Sequence, residues 1–521
     1  MNLIVQQKTS SRIRNYTDHV DEKTTMTKSL ITSSSSSMKG VRVRSWANLA
    51  EVVRKHYVVP DAVSGPTNAH STQRRFDDPT AGAQVVLFRD NHAWCPYCQK
   101  VWLFLEAKRI PYDVKKVTMF CYGSKEAWYK KLVPSGMLPA LGFLEAAPSS
   151  SASGSKRTSS SSQSVSFEYF VTESDDILAE LEHKFGTLAG TRSLTDPVTL
   201  EGRKLERMLF SAWCQWLCNP NCPDRQGQAG FQSVVKRLEQ YLEKVNKGRP
   251  GGNPDQAPPR YFFSGGDGMG VLDCVVTPML ERMCASLFYY KGFDLRREHS
   301  GIDRWFASME SLPVYRGTKS DFHTHVHDLP PQLGGCATGN AASVPDCQRL
   351  VNFGLLDGGV TNYTNKALFG GDERTTIPEP QDARLEAVYR VLRHKERLQK
   401  ANPMGGLASY DVLLRWTLSK LVDEHLATRQ NEQQQGTSEV EGDLLDTSKL
   451  EVEAAVGMRY IRDRISIPRD MGLWAGRYLR LALAEVAELA DDICGAGKDA
   501  GAAYPIPTQH RRDTDPARFY S

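Results

Sequence analysis

Two cysteines separated by two residues are the feature of this chain that points most directly to chemistry. Cys95 and Cys98 flank Pro96-Tyr97, after the apolar run Val85 to Phe88 and at the start of the amphipathic stretch Gln99 to Arg109. A strand, a tight turn and a helix in this order place the first thiol over a helix N-terminus, where unpaired N–H groups and the helix dipole favour a thiolate. A free cysteine is only about 3% ionised at neutral pH. The spacing therefore predicts Cys95 as a nucleophile.

The second thiol allows two reaction cycles. Cys98 lies on the same side of the first helical turn, within reach of Cys95, so the spacing favours a dithiol cycle in which Cys98 releases a disulfide formed on Cys95. A monothiol cycle needs Cys95 alone. Half of a zinc site is the alternative, but such a site needs two further ligands, and a Pro-Tyr spacer is typical of redox motifs. We expect no metal here.

The elements around the thiols follow an α/β pattern. The sequence predicts, in order, a strand near residues 84 to 89, a helix after Cys98, a strand at Tyr112 to Val117, a short helix at Lys125 to Leu132, strands at Ala140 to Phe143 and Ser166 to Phe170, and a helix at Asp175 to Lys184. The order βαβαββα predicts a thioredoxin-like domain over residues 84–190. A Ser-rich run at Pro148 to Ser164 is interpreted as a flexible insertion between its last two strands.

Two further segments of this domain could bind a peptide-like ligand. Leu138-Pro139 places a proline at the start of a strand, where a cis bond could turn the preceding backbone outward. Glu173-Ser174 directly precedes a helical pattern, so a hydroxyl and helix-end N–H groups could bind a carboxylate. Together with Cys95, these segments predict one binding site.

On these motifs the chain resembles the glutathione transferase superfamily, and within it the cysteine-type omega and dehydroascorbate reductase classes. The Cys-Pro-Tyr-Cys motif itself looks like that of glutaredoxins. The wider sequence around it, with the segment at 319–336, resembles a plant and cyanobacterial group that has an added helical C-terminal domain. The resemblance covers residues 84 to 330. It implies an α/β thioredoxin-like domain followed by an all-α glutathione transferase C-terminal bundle and an additional helical domain.

The resemblance also implies which residues act. It implies a catalytic pair, Cys95 and Cys98, and a substrate-binding set formed by Tyr97, Lys125, Leu138, Pro139, Glu173 and Ser174. In this scheme the Leu138 backbone pairs with the cysteinyl part of glutathione before a cis-Pro139. Glu173 and Ser174 hold the γ-glutamyl end, and Lys125 matches a lysine that contacts the glycyl carboxylate.

One position departs from the family pattern. A helix of the second domain usually begins with Ser or Thr three residues before an Asp, which forms a capping box. Here Gly270 stands three residues before Asp273. We expect the fold to survive with a weaker helix cap.

The activity implied is that of a glutathione-dependent thiol–disulfide oxidoreductase or transferase, carrying out thiol transfer, deglutathionylation or dehydroascorbate reduction. Glutathione is then the co-substrate, and the acceptor is a disulfide, a glutathionylated thiol or a small oxidised compound. Conjugation of glutathione to electrophiles ranks lower, because it needs a hydroxyl donor and Tyr97 is not placed for that role. A glutathione-binding but catalytically idle scaffold, tethering an assembly through residues 380 to 500, is the alternative from another class. Monomer and homodimer both stay open.

The chain is too long for one core, so several domains are expected at 521 residues. The sequence predicts a disordered tail or presequence at 1–42, a short helix and linker at 43–83, the thioredoxin-like domain at 84–190, an all-helical domain at 198–335 and an additional helical domain at 380–495. We expect the first helix, within Val43 to Val58, to cover part of the first domain. A coil-like stretch is expected from Tyr315 to about Pro380.

Composition indicates which partners and which cell compartment to expect. The net charge of +4 comes almost entirely from the first 80 residues, so no nucleic-acid footprint follows. No window approaches 18 apolar residues, so no membrane partner is expected. Eleven cysteines without an apolar signal segment indicate an intracellular, cytoplasmic protein with reduced thiols. The Ser-, Thr- and Lys-rich first 40 residues keep the plastid as the alternative location.

Three other groups of side chains have both a functional and a structural interpretation. Cys214, Cys218 and Cys222 recur every fourth residue and are interpreted as small buried hydrophobic residues. His323, His325 and His327 alternate and could share one face of an extended segment, inviting a metal, but the neighbouring prolines and glycines favour an ordered loop packed on the domain. The aromatic residues Trp213, Trp216, Phe288 and Tyr289 could line an acceptor pocket, although core packing is the commoner role.

Overall fold

The computed structural model describes residues 41–145, 166–247, 261–352, 379–433 and 442–495, with the backbone alone for 430–433. The N-terminal tail predicted at 1–42 lies almost wholly outside the described residues, and so does the Ser-rich insertion. The chain divides into two compact units. One unit comprises the described residues within Val59–Gln348 and Ser466–Leu473, and it contains the thiol pair. The other comprises the described residues within Met1–Val58, Arg349–Ile465 and Trp474–Pro507.

The described elements follow one another along the chain in a mixed order of strands and helices. In chain order they are β1 (Arg42–Val43), α1 (Trp46–His56), β2 (Gln73–Arg74), β3 (Val85–Asp90), α2 (Pro96–Lys108), β4 (Tyr112–Val117), α3 (Ala127–Leu132), β5 (Ala140–Leu144), β6 (Phe167–Thr172), α4 (Ser174–Phe185), α5 (Pro197–Cys218), α6 (Asp224–Val245), α7 (Val271–Lys291), α8 (Leu295–Glu298), α9 (Ser300–Glu310), α10 (Pro313–Thr318), α11 (Phe322–Leu333), α12 (Val344–Asn352), α13 (Ala383–Ala401), α14 (Ala408–Gln433), β7 (Asp443–Leu444), a 3₁₀ turn (Thr447–Lys449), α15 (Val452–Arg464) and α16 (Leu473–Ile493). None of these described helices is both long and apolar enough to cross a bilayer.

The sheet of the thiol-bearing unit has five strands in the order β2-β4-β3-β5-β6. Strands β3 and β4 are parallel, and the other neighbours are antiparallel. Every residue of β3 is buried, as expected for a central strand covered by helices on both faces. From β3 onward the order of strands and helices is the βαβαββα order predicted from the sequence. The α/β fold of this domain is therefore confirmed.

The register of the sheet brings three chain segments to one edge. Phe88 near the end of β3 pairs with Ala140 at the start of β5, and Ala140 pairs in turn with Thr172 at the end of β6. Because β5 runs antiparallel to both neighbours, the residues just outside these positions emerge side by side. The loop that follows β3, the residue before β5 and the residue after β6 therefore meet at this edge.

The first strand of the sheet lies in a segment interpreted from the sequence as linker. Strand β2 pairs antiparallel with β4, and Arg74 forms a buried ion pair with Glu106 of α2 at 2.7 Å. Glu106 also accepts hydrogen bonds from Thr67 and from Tyr112, both at 2.7 Å. The stretch before β3 is therefore folded onto the domain. The sequence pattern missed it because the strand is only two polar residues long.

The helical part of this unit packs around α7. All 21 residues of α7 are buried, which is typical of the central helix of a bundle. The stretch predicted as coil from Tyr315 contains helices α10, α11 and α12 instead. Asp321 begins α11 by accepting a hydrogen bond from the Thr324 N–H at 2.9 Å, and Gly334 ends it in the left-handed conformation.

The short helix near the N-terminus belongs to the other unit, and its expected role in covering part of the first domain stays a prediction. Residues just before and within α1 make polar contacts to α14. Arg44 pairs with Asp423 at 2.7 Å, and the Trp46 indole donates to Asp411 at 2.9 Å. In sequence alone, α1 and α14 are more than 350 residues apart, so this pairing is not visible from local pattern.

Candidate functional site

The predicted nucleophile lies where β3 ends and α2 begins. Cys95 is the N-cap residue of α2, its carbonyl accepts from the Gln99 N–H at 3.0 Å, and Pro96 occupies the first helical position. Proline is favoured there because its missing N–H would have no partner inside the helix. Cys95 is 6% exposed and Cys98 2% exposed. The thiol pair is therefore at a helix N-terminus, with Cys98 deeper than Cys95.

Cys98 is the proton donor of the pair. Burial raises the pKa of the Cys98 thiol well above its ordinary value, and the hydrogen bond to Cys95 and the negative charges of Cys95 and Asp90 raise it further. Cys98 therefore stays protonated at neutral pH and donates to the Cys95 sulfur. The arrangement therefore disfavours negative charge on Cys98.

A buried carboxylate lies beside both sulfurs. Asp90, the last residue of β3, accepts a hydrogen bond from the Trp94 N–H at 2.7 Å through one oxygen. Its other oxygen is buried and has no hydrogen-bond partner among the described residues. One Asp90 oxygen and the two sulfurs lie within 4.8 Å of one another. Asp90 therefore belongs to the same buried polar cluster as the two thiols.

The same three residues bear on the zinc alternative. Within the described ranges, Asp90, Cys95 and Cys98 are the one group of three potential metal ligands. A structural zinc site uses four ligands, and a catalytic one uses three plus water or substrate. Three ligands are the number found in an open, catalytic zinc site. A closed structural zinc site would need a fourth ligand, which this group does not contain.

The predicted proline turn lies at the same sheet edge. The Leu138–Pro139 peptide bond is cis, as the sequence predicts, and Ala140 directly after it pairs with Phe88. The Tyr129 hydroxyl donates to the Met137 carbonyl. Burial raises the pKa of Tyr129, and the charges of Cys98 and Cys95 add to this. Tyr129 therefore connects the turn to the thiol pair.

The Glu173-Ser174 segment emerges beside this turn. Thr172 pairs with Ala140, so Glu173 follows at the edge that carries Pro139. Glu173 is exposed and has φ 64°, a left-handed conformation that is uncommon outside glycine and is often found at binding sites. Ser174 is buried and begins α4, whose first N–H groups have no partner within the helix. The segment therefore presents helix-end donors at the edge occupied by the thiols.

The two remaining predicted residues flank the site. Tyr97 is 37% exposed, and the Lys100 ammonium lies 5.3 Å from its ring centre while pairing at 3.3 Å with Asp175 in the first turn of α4. Lys125 donates to the Thr118 carbonyl at 3.3 Å. Burial lowers the pKa of Lys125, while the charges of Cys98 and Cys95 oppose this shift. The eight predicted residues thus gather at one edge of the sheet, and their roles toward glutathione stay predictions.

An arginine of the helical bundle completes the surroundings of Cys95, and the sequence analysis did not anticipate it. Arg282 in α7 is 2% exposed and donates to the carbonyls of Trp94 and Pro278, the latter at 2.6 Å. Its guanidinium lies 4.5 Å from the centre of the Trp94 ring. Burial lowers the pKa of Arg282, and nearby negative charges, among them Glu281 and Cys95, oppose this shift. A buried cation therefore faces the candidate nucleophile from the second domain.

A buried polar network supports Arg282. Gln99 of α2 accepts from Arg282 at 3.2 Å and donates to Glu281 at 3.3 Å. Glu281 also contacts His325 of α11 at 3.3 Å. Burial lowers the pKa of His325 to about 4, so this imidazole is neutral at pH 7. The network connects the helix that carries the thiols to two helices of the bundle.

The histidine group does not lie on an extended segment. The prediction that the three side chains could share one face and bind a metal is therefore wrong. His323, His325 and His327 belong to α11, where alternating residues point in different directions. His325 faces Glu281, whereas the rings of His323 and His327 lie 4.5 Å apart. The interpretation as a loop is also corrected, since the segment is helical.

A signal for the missed residues was present in the sequence. Glu281-Arg282 is a pair of adjacent opposite charges within the mainly apolar stretch from Val271 to Phe288, and such a pair in a buried helix must have partners. Asp90 similarly follows the apolar run Val85 to Phe88, one residue after Arg89. The sequence could not show that both would face Cys95, because the contacts join residues far apart in the chain.

The large aromatic residues considered for an acceptor pocket are core residues. Trp213 and Trp216 are each 1% exposed. Their indoles donate to Ser286 at 2.9 Å and to Asp224 at 3.2 Å. Phe288 and Tyr289 are also buried. The structural interpretation therefore holds for these four side chains.

Comparisons with known proteins agree with this architecture. Residues 94–184 match the family described as glutathione S-transferase, N-terminal domain, and residues 225–308 match glutathione S-transferase, C-terminal domain. Glutathione S-transferase DHAR3, chloroplastic, of Arabidopsis thaliana is 22% identical over 241 residues, which is 46% of this chain and 75% of the relative. Probable glutathione S-transferase DHAR1, cytosolic, of Oryza sativa subsp. japonica is 21% identical over 226 residues, which is 43% of this chain and 84% of the relative.

Solved structures were found at lower overall similarity. Chlamydomonas reinhardtii dehydroascorbate reductase has a TM-score of 0.33 and 20% identity, over 49% of this chain and 96% of its own. Glutathione transferase Omega 3C from Trametes versicolor has a TM-score of 0.31 and 18% identity, over 54% of this chain and 97% of its own. The thioredoxin-like sheet and the helical bundle agree with these two family matches, so residues 94–184 and 225–308 are similar to the N-terminal and C-terminal domains of glutathione S-transferases.

Proposed function

We propose that the protein is a glutathione-dependent thioltransferase in which Cys95 is the nucleophile. The observation that carries the proposal is the position of the thiol pair: Cys95 is the N-cap residue of α2, and the protonated Cys98 lies deeper, three residues along the helix. A thiolate is the form of cysteine that attacks a disulfide, and helix N-termini generally favour it. Glutathione is the expected co-substrate on the strength of the superfamily domains.

The first step transfers a glutathionyl group. The Cys95 thiolate attacks the glutathionyl sulfur of a mixed disulfide, the Cys95–S–S–glutathione bond forms, and the acceptor leaves as a thiolate that takes a proton from solvent. A second glutathione thiolate then attacks this bond, which gives glutathione disulfide and regenerates the Cys95 thiolate. Electrons balance, because the mixed disulfide and one glutathione give the free acceptor thiol and one glutathione disulfide.

The high pKa of Cys98 argues for the monothiol cycle over the dithiol cycle. A thiol that stays protonated attacks a disulfide slowly, since the thiolate is the attacking species. Cys98 could still resolve the intermediate if its proton passed to Asp90, whose free oxygen is part of the same cluster. We therefore expect Cys98 to tune Cys95 and to be dispensable for turnover.

The edge of the sheet offers the groups needed to hold glutathione. In the proposed complex the Leu138 backbone pairs with the cysteinyl part, and the helix-end N–H groups after Glu173 bind the γ-glutamyl carboxylate. Lys125 meets the glycyl carboxylate, and the exposed face of Tyr97 borders the acceptor. Support for this assignment is the convergence of these segments at one edge, set by the pairing of Phe88, Ala140 and Thr172.

Dehydroascorbate reduction is the second candidate. Its support is that the sequence motifs resemble the dehydroascorbate reductase class and that the curated relatives include glutathione S-transferases named DHAR3 and DHAR1. The same thiolate chemistry would serve, because dehydroascorbate and two glutathione molecules give ascorbate and glutathione disulfide. We rank thiol transfer first, and both above conjugation to electrophiles.

Turnover of a glutathionylated peptide by the purified full chain tests the proposal. With reduced glutathione in excess, we expect the unaltered chain to release the free peptide. Cys95→Ser should lower the rate at least about a hundredfold, as loss of a nucleophile does. Cys98→Ser should stay within about threefold if the monothiol cycle operates. Cys494→Ser, a half-buried cysteine of the other unit, is the matched control.

Three outcomes separate the alternatives. Activity retained in Cys95→Ser rejects the assignment of the nucleophile. No turnover by the unaltered chain, with glutathione binding intact by calorimetry, favours the scaffold. A higher kcat/KM for dehydroascorbate than for the peptide, measured through ascorbate absorbance, reverses the ranking of the two candidate activities.

A further inference from the structure

A second group of thiols lies in the helical bundle, outside the Cys95 site. Cys214 and Cys218 are one turn apart at the end of α5, and Cys336 follows α11. All three are half-buried, so small molecules can reach them. The sequence interpretation of Cys214 and Cys218 as buried hydrophobic residues is therefore incomplete, and Cys336 was not considered with them.

The backbone fixes Cys336 beside the end of α5. Gly334 and Gly335 both have positive φ and turn the chain after α11. The Ala337 N–H then donates to the Leu217 carbonyl at 2.7 Å, and the Gly339 N–H donates to the Tyr290 carbonyl at 2.7 Å. These bonds hold the segment against the ends of α5 and α7.

The first of these hydrogen bonds joins the direct chain neighbours of Cys336 and Cys218. Cys336 directly precedes Ala337 and Cys218 directly follows Leu217, so this 2.7 Å hydrogen bond holds the backbones of the two cysteines close together. The negative charge of Cys218 also adds to the pKa of Cys336, after burial as the main cause of its rise. Cys218 and Cys336 are therefore near neighbours in space.

The surroundings of Cys218 favour its thiolate. The pKa of Cys218 is lowered chiefly because Cys214 donates a hydrogen bond to it, and the Lys291 ammonium acts in the same direction against the opposing effect of burial. Cys214 correspondingly holds its proton, and its pKa is raised. Lys291 is kept in place by a 2.9 Å ion pair with Asp224. Cys218 is thus the member of the group best prepared to attack a disulfide.

We propose that Cys218 and Cys336 form a second thiol–disulfide site, which is oxidised by a low-molecular-weight disulfide such as glutathione disulfide. The Cys218 thiolate attacks one sulfur of glutathione disulfide, which forms a Cys218–glutathione bond and releases glutathione. The Cys336 sulfur then attacks Cys218 and displaces the second glutathione, which leaves with the Cys336 proton. Two thiols lose two electrons in total, and one glutathione disulfide becomes two glutathione molecules. This chemistry is independent of Cys95.

Differential alkylation of the full chain tests this proposal. Reduced protein carrying Cys95→Ser and Cys98→Ser is incubated with glutathione disulfide, free thiols are blocked with iodoacetamide, and peptides are identified by mass spectrometry. We expect a disulfide-linked peptide pair containing Cys218 and Cys336. Without glutathione disulfide, a limiting amount of iodoacetamide should label Cys218 at least about fivefold faster than the nearby half-buried Cys222.

Single substitutions in the same background identify the order of steps. Cys336→Ser should stop the reaction at a glutathione adduct on Cys218, and Cys218→Ser should prevent both the adduct and the link. Cys222→Ser is the matched control and should behave as the unaltered chain. A persistent adduct with Cys336 present, a Cys214–Cys218 link, or equal labelling of Cys218 and Cys222 would each overturn the proposal. Because Cys95 is absent throughout, these outcomes are separate from those that test the thioltransferase.

Discussion

The most informative single residues of the site are those that the motif does not contain. Arg282 and Glu281 are adjacent, buried and opposite in charge, and each contacts Gln99 of the helix that begins at Cys95. Truncating either side chain leaves polar partners in this buried network unsatisfied, which typically costs about 1–3 kcal/mol. The helix that begins at Cys95 and the bundle are therefore coupled through polar contacts as well as through apolar packing. His325 belongs to this network, so its protonation should change the free energy of unfolding by a measurable amount.

The neutral His325 predicts that stability falls as the pH drops below neutral. Its folded pKa of about 4 lies below the ordinary 6.5, so between these values the unfolded state binds more protons than the folded state. The contribution is present above pH 6.5 and is lost as the pH falls toward 4. It amounts to about 3 kcal/mol for a difference of this size. Urea unfolding followed by tryptophan fluorescence at several pH values measures it.

His325→Gln isolates this contribution from the other titrating groups. The free energy of unfolding of this variant should depend less on pH between 6.5 and 4 than that of the unaltered chain. His183→Gln replaces an exposed histidine of α4 and should keep the original pH dependence. If His325→Gln and the unaltered chain lose stability in parallel over this range, the assignment of a neutral buried imidazole fails.

At the scale of elements, the start of α7 shows why the family pattern is altered in this chain. Gly270 has no side chain to cap the helix, but the other half of the capping box is present, because Asp273 accepts from the Gly270 N–H at 2.9 Å. Asp273 also accepts from the Phe263 N–H at 2.8 Å and from the Trp305 indole at 2.9 Å. A Cβ at position 270 would lie 2.6 Å from the Ser264 Cβ. The close approach of this loop therefore requires glycine where Ser or Thr is usual.

Restoring the family residue at this position should therefore destabilise the protein. We expect Gly270→Ser to lower the free energy of unfolding by about 1–3 kcal/mol, since the crowding outweighs the gain of a cap. Gly268→Ser is the matched control, because a Cβ there has open space, and it should change stability little. Thermal unfolding of the two variants measures the difference. A higher thermal unfolding midpoint for Gly270→Ser than for the unaltered chain would contradict the prediction, because it would show that the loop moves to make room for the side chain.

Comparison of the predicted and observed elements shows what local pattern can reveal. Strands β3 to β6 and helices α2 to α4 were predictable because apolar runs, proline and glycine breakers mark them. Strand β2 was missed because its stability comes from the Arg74–Glu106 ion pair and the ladder to β4, which are long-range contacts. Helix α11 was missed because Pro330 and Pro331 lie near its end, where their effect on the preceding turns is small enough for the helix to persist.

The residues of the candidate site also fall into those that local sequence predicts and those that it does not. Cys95, Cys98 and the cis-proline were predictable, since each is recognised by residue type and spacing within a few positions. Asp90, Arg282 and the clustering of Cys218 with Cys336 were not, because they depend on how distant segments pack. Glu173 was predicted from the helix start, but its left-handed conformation has no local signal in a glutamate.

At the scale of the whole molecule, the unit that carries the thiols includes a short segment from near the other end of the chain. Residues 466–473 belong to it, although the chain on both sides belongs to the other unit. The Ile467 N–H donates to the Thr324 hydroxyl at 3.0 Å, and the Ser320 hydroxyl donates to the Ile467 carbonyl. Thr324 and Ile467 are fully buried. This segment therefore supports α11, the helix that carries His325.

Loss of the Thr324 hydroxyl should loosen the docked segment. Thr324→Val leaves the buried Ile467 N–H without its acceptor, which costs about 1–3 kcal/mol. Amide hydrogens of residues 466–470 should then exchange about ten- to a hundredfold faster by mass spectrometry, if they open locally. Thr428→Val removes an exposed hydroxyl that bonds only its own helix and serves as control. Unchanged exchange in Thr324→Val would show that apolar packing alone holds the segment.

The insertion of 466–473 has a consequence for how the protein is made. A ribosome synthesises the residues of the sheet and the bundle long before it adds residue 467. A nascent chain therefore already contains Cys95 but lacks the segment 466–473 that packs on α11. Completion of the unit that carries the candidate site must then wait until residues 466–473 have emerged. No single cut in the backbone separates the two units, and an expression fragment ending near residue 348 would leave Thr324 uncovered.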